Sequence, residues 1–269
     1  MMVDSGKRNL LGVLIDAMDY EAAVGRVIAA AKAGEPLGVS ALAVHGVMTG
    51  VLDRAHRSRL NQLEMVVPDG QPVRWALNLL HRSGLRDRVY GPKLTLEVCR
   101  RAAEEGLPVF LYGSRPEVLS DLAANLTRRV PGLRIAGLRP SRFRRSTAGE
   151  KREIVREVLD SGARLVLVGL GCPRQEVWVY EYREALSMPV LAVGAAFDFH
   201  AGALRQAPES LQRIGLEWAF RLGLEPRRLW RRYLLLNPYY LFLVFCQVAR
   251  LKSFEVDRMP GLIEDMNYS

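Results

Sequence analysis

The sequence predicts an α/β fold in which a mostly parallel sheet is flanked by helices, with a helical segment after it. Short apolar runs alternate with helix-length segments, a pattern typical of about six or seven strands joined by crossover helices. Two β-branched runs, residues 165–168 and 190–193, each end in glycine and enclose one helix-length segment. That order of strand, helix and strand forms a parallel βαβ unit. The expected architecture is therefore Rossmann-like.

The first half of the chain alternates between strand and helix patterns. Gly34 and Pro36 end the first helix, and Pro72 suits the first turn of a later one. We expect strands at residues 10–15, 37–44 and 64–67, and helices at residues 20–33, 47–60, from Pro72 onward and at 91–105.

The second half continues the alternation and then changes character. Thr147 and Glu150 form a capping box, which predicts the start of a helix. Residues beyond Leu211 are helical in pattern, basic and aromatic. We therefore divide the chain into an α/β core, residues 1–210, and an appendage, residues 211–269. Further strands are expected at residues 109–112, 133–136, 165–168 and 190–193.

Composition and charge limit the classes of protein that the chain can belong to. Apolar residues make up 49% of the 269 positions and charged residues 25%, which is enough to form a core. The net charge is +9, and arginines cluster at residues 139–145 and 221–232. Such clusters bind phosphate, whether it belongs to a nucleotide, a nucleic acid or an anionic lipid. The three cysteines match no metal or redox spacing, which suits a reducing cytosol.

The sequence lacks the motifs of several kinds of metal-binding and catalytic site. The histidines, at positions 45, 56, 81 and 200, have no paired spacing, so we expect no zinc site and no other metal. No G-x-S-x-G elbow occurs, and no D-x-D motif is present to hold a diphosphate through a divalent ion. Arginines and helix N-termini would then bind any diphosphate. No signal peptide and no membrane-spanning helix are expected either.

Polar residues and glycines follow several predicted strands, where ligands bind in parallel α/β sheets. Asp69 follows one strand, and a glycine–serine turn that could hold a phosphate follows another. Ordinary βα turns, and an N-cap role for Asp69, are the alternatives. A carboxylate beside arginines suits a base that deprotonates a hydroxyl while cations stabilise a departing phosphate. The candidates at these strand ends are Asp69, Gly113, Ser114, Gly169, Gly171, Gln175, Glu176 and Asp198.

The appendage combines arginines, aromatic residues and an apolar run. Arg221, Arg228 and Arg231 fall on one helical stripe if the helix continues through Pro226. Residues 234–248 are almost wholly apolar. A basic aromatic helix followed by a short apolar one fits a membrane-surface element. A helix packed on the core, or a subunit interface, are the alternatives.

A set of motifs resembles the TagA/WecG-type bacterial glycosyltransferases, glycosyltransferase family 26, over about residues 10–238. The motifs are VVPDG (66–70), RVYG (88–91), FLYGS (110–114), PGLRIAG (131–137), VGLGCPRQEVW (168–178), VGAAFDFHAG (193–202) and the run LEW…RL…EPRRLWRR (216–232). Their number and order make chance agreement improbable.

The resemblance implies an inverting, metal-independent transferase without a cofactor. Its family moves N-acetylmannosamine, its uronic acid or a related hexose from a UDP-sugar to an undecaprenyl-diphosphate-linked saccharide. By the family pattern Asp69 is the general base, and Arg88 and Gln175 line the sugar and diphosphate pocket. Arg221, Arg228 and Arg231 match an appendage that closes over the active site at the membrane.

The resemblance also implies a homo-oligomer at the inner, cytoplasmic face of the plasma membrane. The chain departs from the family pattern at Ala43–Val44–His45, where Thr-x-Asn is common, and at Gln71–Pro72, where D-G-x-G is common. His45 is then a candidate substrate contact, or else a packed or capping histidine. A basic nucleic-acid-binding protein and an inactive membrane scaffold are the alternative functions; under the favoured hypothesis no nucleic acid is bound.

Overall fold

A computed structural model describes residues 2–144 and 146–256 of the chain. It contains a six-stranded sheet of order β4-β3-β8-β7-β5-β6, in which every neighbouring pair is parallel. These strands are β3 (Leu37–Leu42), β4 (Met65–Pro68), β5 (Val109–Gly113), β6 (Ile135–Arg139), β7 (Leu165–Gly169) and β8 (Pro189–Ala192). The predicted fold class, a mostly parallel sheet flanked by helices, is confirmed.

Helices connect the strands as crossovers. They are α1 (Tyr20–Ala33), α2 (Val44–Leu52), α3 (Arg54–Gln62), α4 (Gln71–His81), α5 (Gly91–Glu104), α6 (Pro116–Arg129), α7 (Ala148–Asp160), α8 (Arg174–Leu186) and α9 (Ala196–Ala201). The capping box at Thr147 and Glu150 is present at the start of α7. The helix expected at residues 47–60 is interrupted at Asp53, whose side chain accepts a hydrogen bond from His56 N and caps α3.

The core lies on both faces of the parallel sheet. Along β7, Leu165 and Leu167 face one buried cluster, and Val166 and Val168 face the other. Successive strand side chains point to opposite faces, and both faces of this strand are covered. This explains why β7 is a continuous apolar run.

The chain begins with a hairpin rather than the single strand expected at residues 10–15. Strands β1 (Asp4–Leu10) and β2 (Val13–Met18) pair antiparallel in a separate two-stranded sheet. The turn uses Leu11 and Gly12 with φ of 56° and 85°. Two positive φ values match the twist of a two-residue hairpin. Leucine is uncommon in such a turn, and its buried side chain compensates.

The appendage forms α10 (Glu209–Arg213), α11 (Glu217–Leu224), α12 (Pro226–Arg231), a π-helical turn (Arg232–Leu236) and α13 (Asn237–Val248). The condition for a single stripe of arginines, a helix that continues through Pro226, is not met, because α11 ends at Leu224 and α12 begins at Pro226. Proline has no N–H to continue the helical hydrogen bonds. In the described part of the chain, none of the helices has the length and apolar character that crossing a bilayer requires.

Helix α13 packs on the core through one side. Tyr240 and Leu243 belong to a core cluster, and the Tyr240 hydroxyl donates to Pro72 O at 3.1 Å. Gln247 accepts a hydrogen bond from Leu11 N at 3.0 Å. The end of the appendage is therefore attached to the hairpin and to α4, while residues 257–269, also assigned to the appendage, lie outside the described residues.

Candidate active site

The carboxyl ends of the parallel strands open into a cavity of about 350 Å³. Turns after β3, β4, β5, β7 and β8 contribute to its wall, and α11 and α12 of the appendage close one side. Nine predicted site residues line it: Asp69, Ser114, Gly169, Gly171, Gln175, Glu176, Asp198, Arg221 and Arg228. The fold thus brings together side chains that are more than 150 positions apart in the sequence.

Asp69 follows β4 directly and does not cap α4, because the N-cap of that helix is Gly70. Its Oδ1 accepts a hydrogen bond from Gly91 N, at the start of α5, at 2.6 Å. Burial raises the pKa of Asp69 to about 6, although the positive charge of Arg88 and the bond from Gly91 N both lower it. A carboxyl group with that pKa is suited to accept a proton near neutral pH.

Glycines allow the ends of β5 and β7 to approach closely. A Cβ on Gly113, which has a φ of 112°, would lie 2.6 Å from Gly169 O, and one on Gly169 would lie 2.4 Å from the Phe197 ring. Ser114 N donates to Gly169 O at 2.9 Å, which joins the two turns. Gly113 therefore shapes the cavity rim, whereas Ser114 and Gly169 line the cavity.

Gln175 and Glu176 form a buried pair on the cavity floor, in the first turn of α8. Gln175 Oε1 accepts from Gly171 N at 3.2 Å, and its Nε2 donates to Glu176 Oε1 at 2.8 Å. Ser40 also donates to Glu176 Oε1. Burial raises the pKa of Glu176. Both the oxygen and the nitrogen of the Gln175 amide are thus hydrogen-bonded, which fixes the turn after β7.

Arg88 lies between the core and the appendage. Its Nη2 is 2.6 Å from Glu217 Oε2 and donates to Gln212 Oε1 at 3.1 Å, while its guanidinium lies 4.0 Å from the centre of the Tyr90 ring. The Tyr90 hydroxyl donates to Glu217 Oε1 at 2.9 Å. Both side chains of the ion pair are largely buried.

A second, smaller cavity of about 90 Å³ adjoins the first. His45, at the start of α2, and Arg88 line it together with Trp218 and Tyr233 from the appendage. Asp69, Glu217 and Arg221 line both cavities. The aspartate therefore faces two compartments.

The appendage brings two of its three predicted arginines to the main cavity. Arg221 and Arg228 line it opposite Asp198, whose pKa is raised by burial and lowered by Arg228. Arg231 lines neither cavity; it is exposed, with its guanidinium 5.2 Å from the Trp230 ring.

The arginine cluster at residues 139–145 is largely occupied by acidic partners. Arg139 contacts Glu153 at 3.1 Å and also Glu157 of α7. Arg142 and Arg144 both contact Glu150. Arg145 lies outside the described residues. The cluster therefore offers less charge to a phosphate than its sequence suggests.

One group of described residues has donor atoms close enough to hold a metal ion. His56, Cys172 and Glu176 each offer one atom, and these atoms lie within 4.8 Å of one another. Burial lowers the pKa of His56 to about 4. Glu176 Oε1 already accepts two hydrogen bonds. The chemistry proposed below does not use this group.

Sequence reasoning missed two residues of the site, Tyr90 and Glu217. Tyr90 lies inside the RVYG motif, directly after Arg88 and Val89, and Glu217 begins the basic segment of the appendage. A single acidic residue at the start of an arginine-rich segment, residues 217–232, was the available signal. His200, which follows β8, is a packed histidine with its Nε2 2.8 Å from Pro92 O.

A parallel sheet with a polar cavity at its carboxyl edge, a carboxylate of raised pKa and arginines from an appendage defines a class. These features are typical of α/β enzymes that bind phosphorylated ligands at the ends of their strands. Residues 8–254 match the glycosyl transferase WecG/TagA/CpsF family, and the chain belongs to that family. It is therefore a glycosyltransferase, and membership implies a nucleotide-sugar donor, a sugar acceptor and a role in cell-surface polysaccharide synthesis.

Proposed function

We propose that the chain is an inverting, metal-independent hexosyltransferase. It moves N-acetylmannosamine, its uronic acid or a related hexose from a UDP-sugar to an undecaprenyl-diphosphate-linked saccharide. The observation that carries this proposal is the position of Asp69 between two cavities. A base between a donor compartment and an acceptor compartment is the arrangement that a single displacement requires.

The larger cavity suits the donor. Arg221 and Arg228 supply positive charge, and the turns after β5 and β7 supply small residues that let a diphosphate approach the backbone. Gln175 and Asp198 offer polar groups to the sugar and the nucleoside. The smaller cavity, with Trp218 and Tyr233 in its wall, suits the acceptor saccharide, since sugars pack on aromatic faces.

The reaction is a single displacement. An acceptor hydroxyl gives its proton to the Asp69 carboxylate as its oxygen bonds to the anomeric carbon of the donor. The bond from that carbon to the phosphate oxygen breaks on the opposite face, so the configuration inverts. The electron pair leaves with UDP, whose diphosphate charge Arg221 and Arg228 stabilise, and Arg88 orients the reacting groups. The proton balance is complete without a metal or a cofactor.

We infer that the enzyme works at the inner, cytoplasmic face of the plasma membrane, where a lipid-linked acceptor is presented, and that it is a homo-oligomer. Apolar side chains of the π-helical turn and α13 are exposed, including Leu235, Phe242 and Phe245 at 59–61%. Arg227 and Arg231 are exposed nearby in sequence. Apolar side chains beside cations suit an anionic membrane surface.

The test is a screen of UDP-sugars with an undecaprenyl-diphosphate-linked acceptor, scored by product mass and by the anomeric configuration of the new bond. We expect one hexose to be transferred with inversion, without added metal and in the presence of a chelator. Asp69→Asn should lower kcat by about 100-fold or more, because it removes the base. Asp121→Asn, on the exposed side of α6, is the matched control and should leave kcat unchanged. Near-normal transfer by Asp69→Asn, or retention of configuration, would contradict the mechanism.

A further inference from the structure

Glu217 is the first residue of α11 and contacts two core residues that lie beside Asp69. Its Oε2 is 2.6 Å from Arg88 Nη2, and its Oε1 accepts from the Tyr90 hydroxyl at 2.9 Å. The side chains of Arg88 and Glu217 are only 8% and 12% exposed. Glu217 therefore differs from exposed acids nearby in sequence, such as Glu209, which is 85% exposed and pairs with Arg213.

The ion pair connects the appendage to the segment that holds Asp69. Gly91 N donates to Asp69 Oδ1, so residues 88–91 contact Asp69 at one end and Glu217 at the other. A buried ion pair is costly to leave half-formed, because the remaining charge is desolvated without a partner. Arg88 thus makes its ion pair with Glu217 and its hydrogen bond to Gln212 only when the appendage is docked on the core.

We propose that Glu217 is a positioning residue of the active site, whose carboxylate fixes Arg88 and Tyr90 beside Asp69 when the appendage closes on the core. This inference rests on the proposed transfer reaction. The bonds of Arg88 to Glu217 and Gln212 both use Nη2. Among residues 2–144 and 146–256, no hydrogen bond occupies Nη1 or Nε, which leaves both atoms to a substrate oxygen. Glu217 therefore orients the guanidinium without using all of its donors.

The same contact affects the proton acceptor. The negative charge of Glu217 raises the pKa of Asp69, and the positive charge of Arg88 lowers it. A neutral side chain at position 217 removes the raising influence and leaves the charge of Arg88 uncompensated. Loss of this one negative charge therefore lowers the pKa of Asp69. The acid limb of the rate profile, where Asp69 gains its proton, should then move to lower pH.

The experiment compares the full-length wild-type chain with Glu217→Gln, Glu217→Ala and Tyr90→Phe in the transfer assay. We expect Glu217→Gln to lower kcat by about 10- to 100-fold, because small misplacements of orienting groups cost that much. Its acid limb should move down by about half a pH unit or more. Tyr90→Phe should lower kcat with a smaller movement of the limb, because no charge is lost. Glu209→Gln is the control, and its rate and profile should match the wild type.

Thermal unfolding of each variant separates positioning from folding. Glu217→Gln keeps the size of the side chain, so it remains informative if Glu217→Ala fails to fold. An active wild type with a normal kcat and an unmoved acid limb in Glu217→Gln would overturn the positioning role alone. A lower kcat with an unmoved limb, accompanied by a lower melting temperature, would also overturn it, because a structural contact suffices for that result. A wild type that transfers no hexose would contradict the proposed function as well.

Discussion

Asp69, the proposed general base, is buried, and burial of its charged form costs free energy of folding. Its carboxyl group accepts a hydrogen bond from Gly91 N and lies close to both Arg88 and Glu217. Burial, together with the negative charge of Glu217, outweighs the charge of Arg88 and the bond from Gly91 N and raises the pKa of Asp69 to about 6. The folded protein therefore binds a proton at this position more tightly than the unfolded chain does. The proposed mechanism requires the deprotonated form of Asp69, so the form proposed to be active is also the less stable one.

We predict a pH dependence with a defined sign. The value of kcat/KM should rise with pH through an acid limb near pH 6, as Asp69 loses its proton. The stability that the raised pKa contributes is fully present below the ordinary aspartate value of 3.8 and is lost as the pH rises through about 6.

Asp69→Asn removes the ionisable group, so the variant does not lose this stability as the pH rises. At pH 7.5 the variant should unfold with a free energy up to about 3 kcal/mol higher than that of the wild type. At pH 4 the two should be nearly equal. Chemical denaturation at both values measures the difference, and a variant that is less stable than the wild type at pH 7.5 would contradict the assignment of the pKa.

Arginines in similar sequence contexts have different surroundings in the fold. Arg142 and Arg144 contact Glu150 at the start of α7, whereas Arg221 and Arg228 line the main cavity. Arg228 also contacts Glu225, so the difference depends on where the fold places each arginine relative to the cavity and not on acidic partners alone. Cluster composition alone therefore did not distinguish a surface network from a ligand site.

At the scale of the element, α13 has two apolar sides with different environments. Tyr240, Leu243 and Val244 are buried against the core, and Leu241, Phe242 and Phe245 are 60–61% exposed. The exposed positions recur at helical spacing along one stripe. A helix that is apolar all round is normally buried on all sides, so the exposed stripe indicates a further apolar surface.

We predict that this stripe contributes to membrane binding. Phe242→Ser and Phe245→Ser should each weaken binding to anionic lipid vesicles by about tenfold, because a phenylalanine side chain loses its burial in the interface. The control is Leu159→Ser on α7, which changes a leucine that is 47% exposed. Vesicle co-sedimentation measures the affinities. Unchanged binding by both phenylalanine variants would exclude the stripe as the contact surface.

At the scale of the whole molecule, the appendage is connected to the core at two places. The Arg88–Glu217 ion pair attaches its beginning, and Tyr240 and Leu243 attach its end. The segment between them carries Arg221 and Arg228 over the main cavity. The division of the chain at residue 210 stays a prediction, but the two attachments indicate that the appendage adds to the stability of the core.

Leu243→Ala tests that contribution. Leu243 is 3% exposed within a core cluster, and its truncation should cost about 2–5 kcal/mol of unfolding free energy. Leu241→Ala changes the same residue type two positions earlier, where the side chain is 61% exposed, and should change stability by less than about 0.5 kcal/mol. Denaturant unfolding of both variants gives the comparison. Equal stabilities would mean that α13 does not share the core.

The sequence by itself determined the parallel α/β architecture, because apolar periodicity and the glycine and proline boundaries are local properties. It also determined the strand-end positions of Asp69, Ser114 and Gln175, since parallel strands bring their carboxyl ends to one edge. Other features depend on contacts between residues that are far apart in the sequence, and only the tertiary structure shows them. The hairpin at Leu11 and Gly12 depends on burial, the position of Arg231 outside the cavity depends on how α12 packs, and the contact of Glu217 with Arg88 joins residues 129 positions apart. Such contacts leave no periodic signal, because they arise only when the appendage packs on the finished sheet.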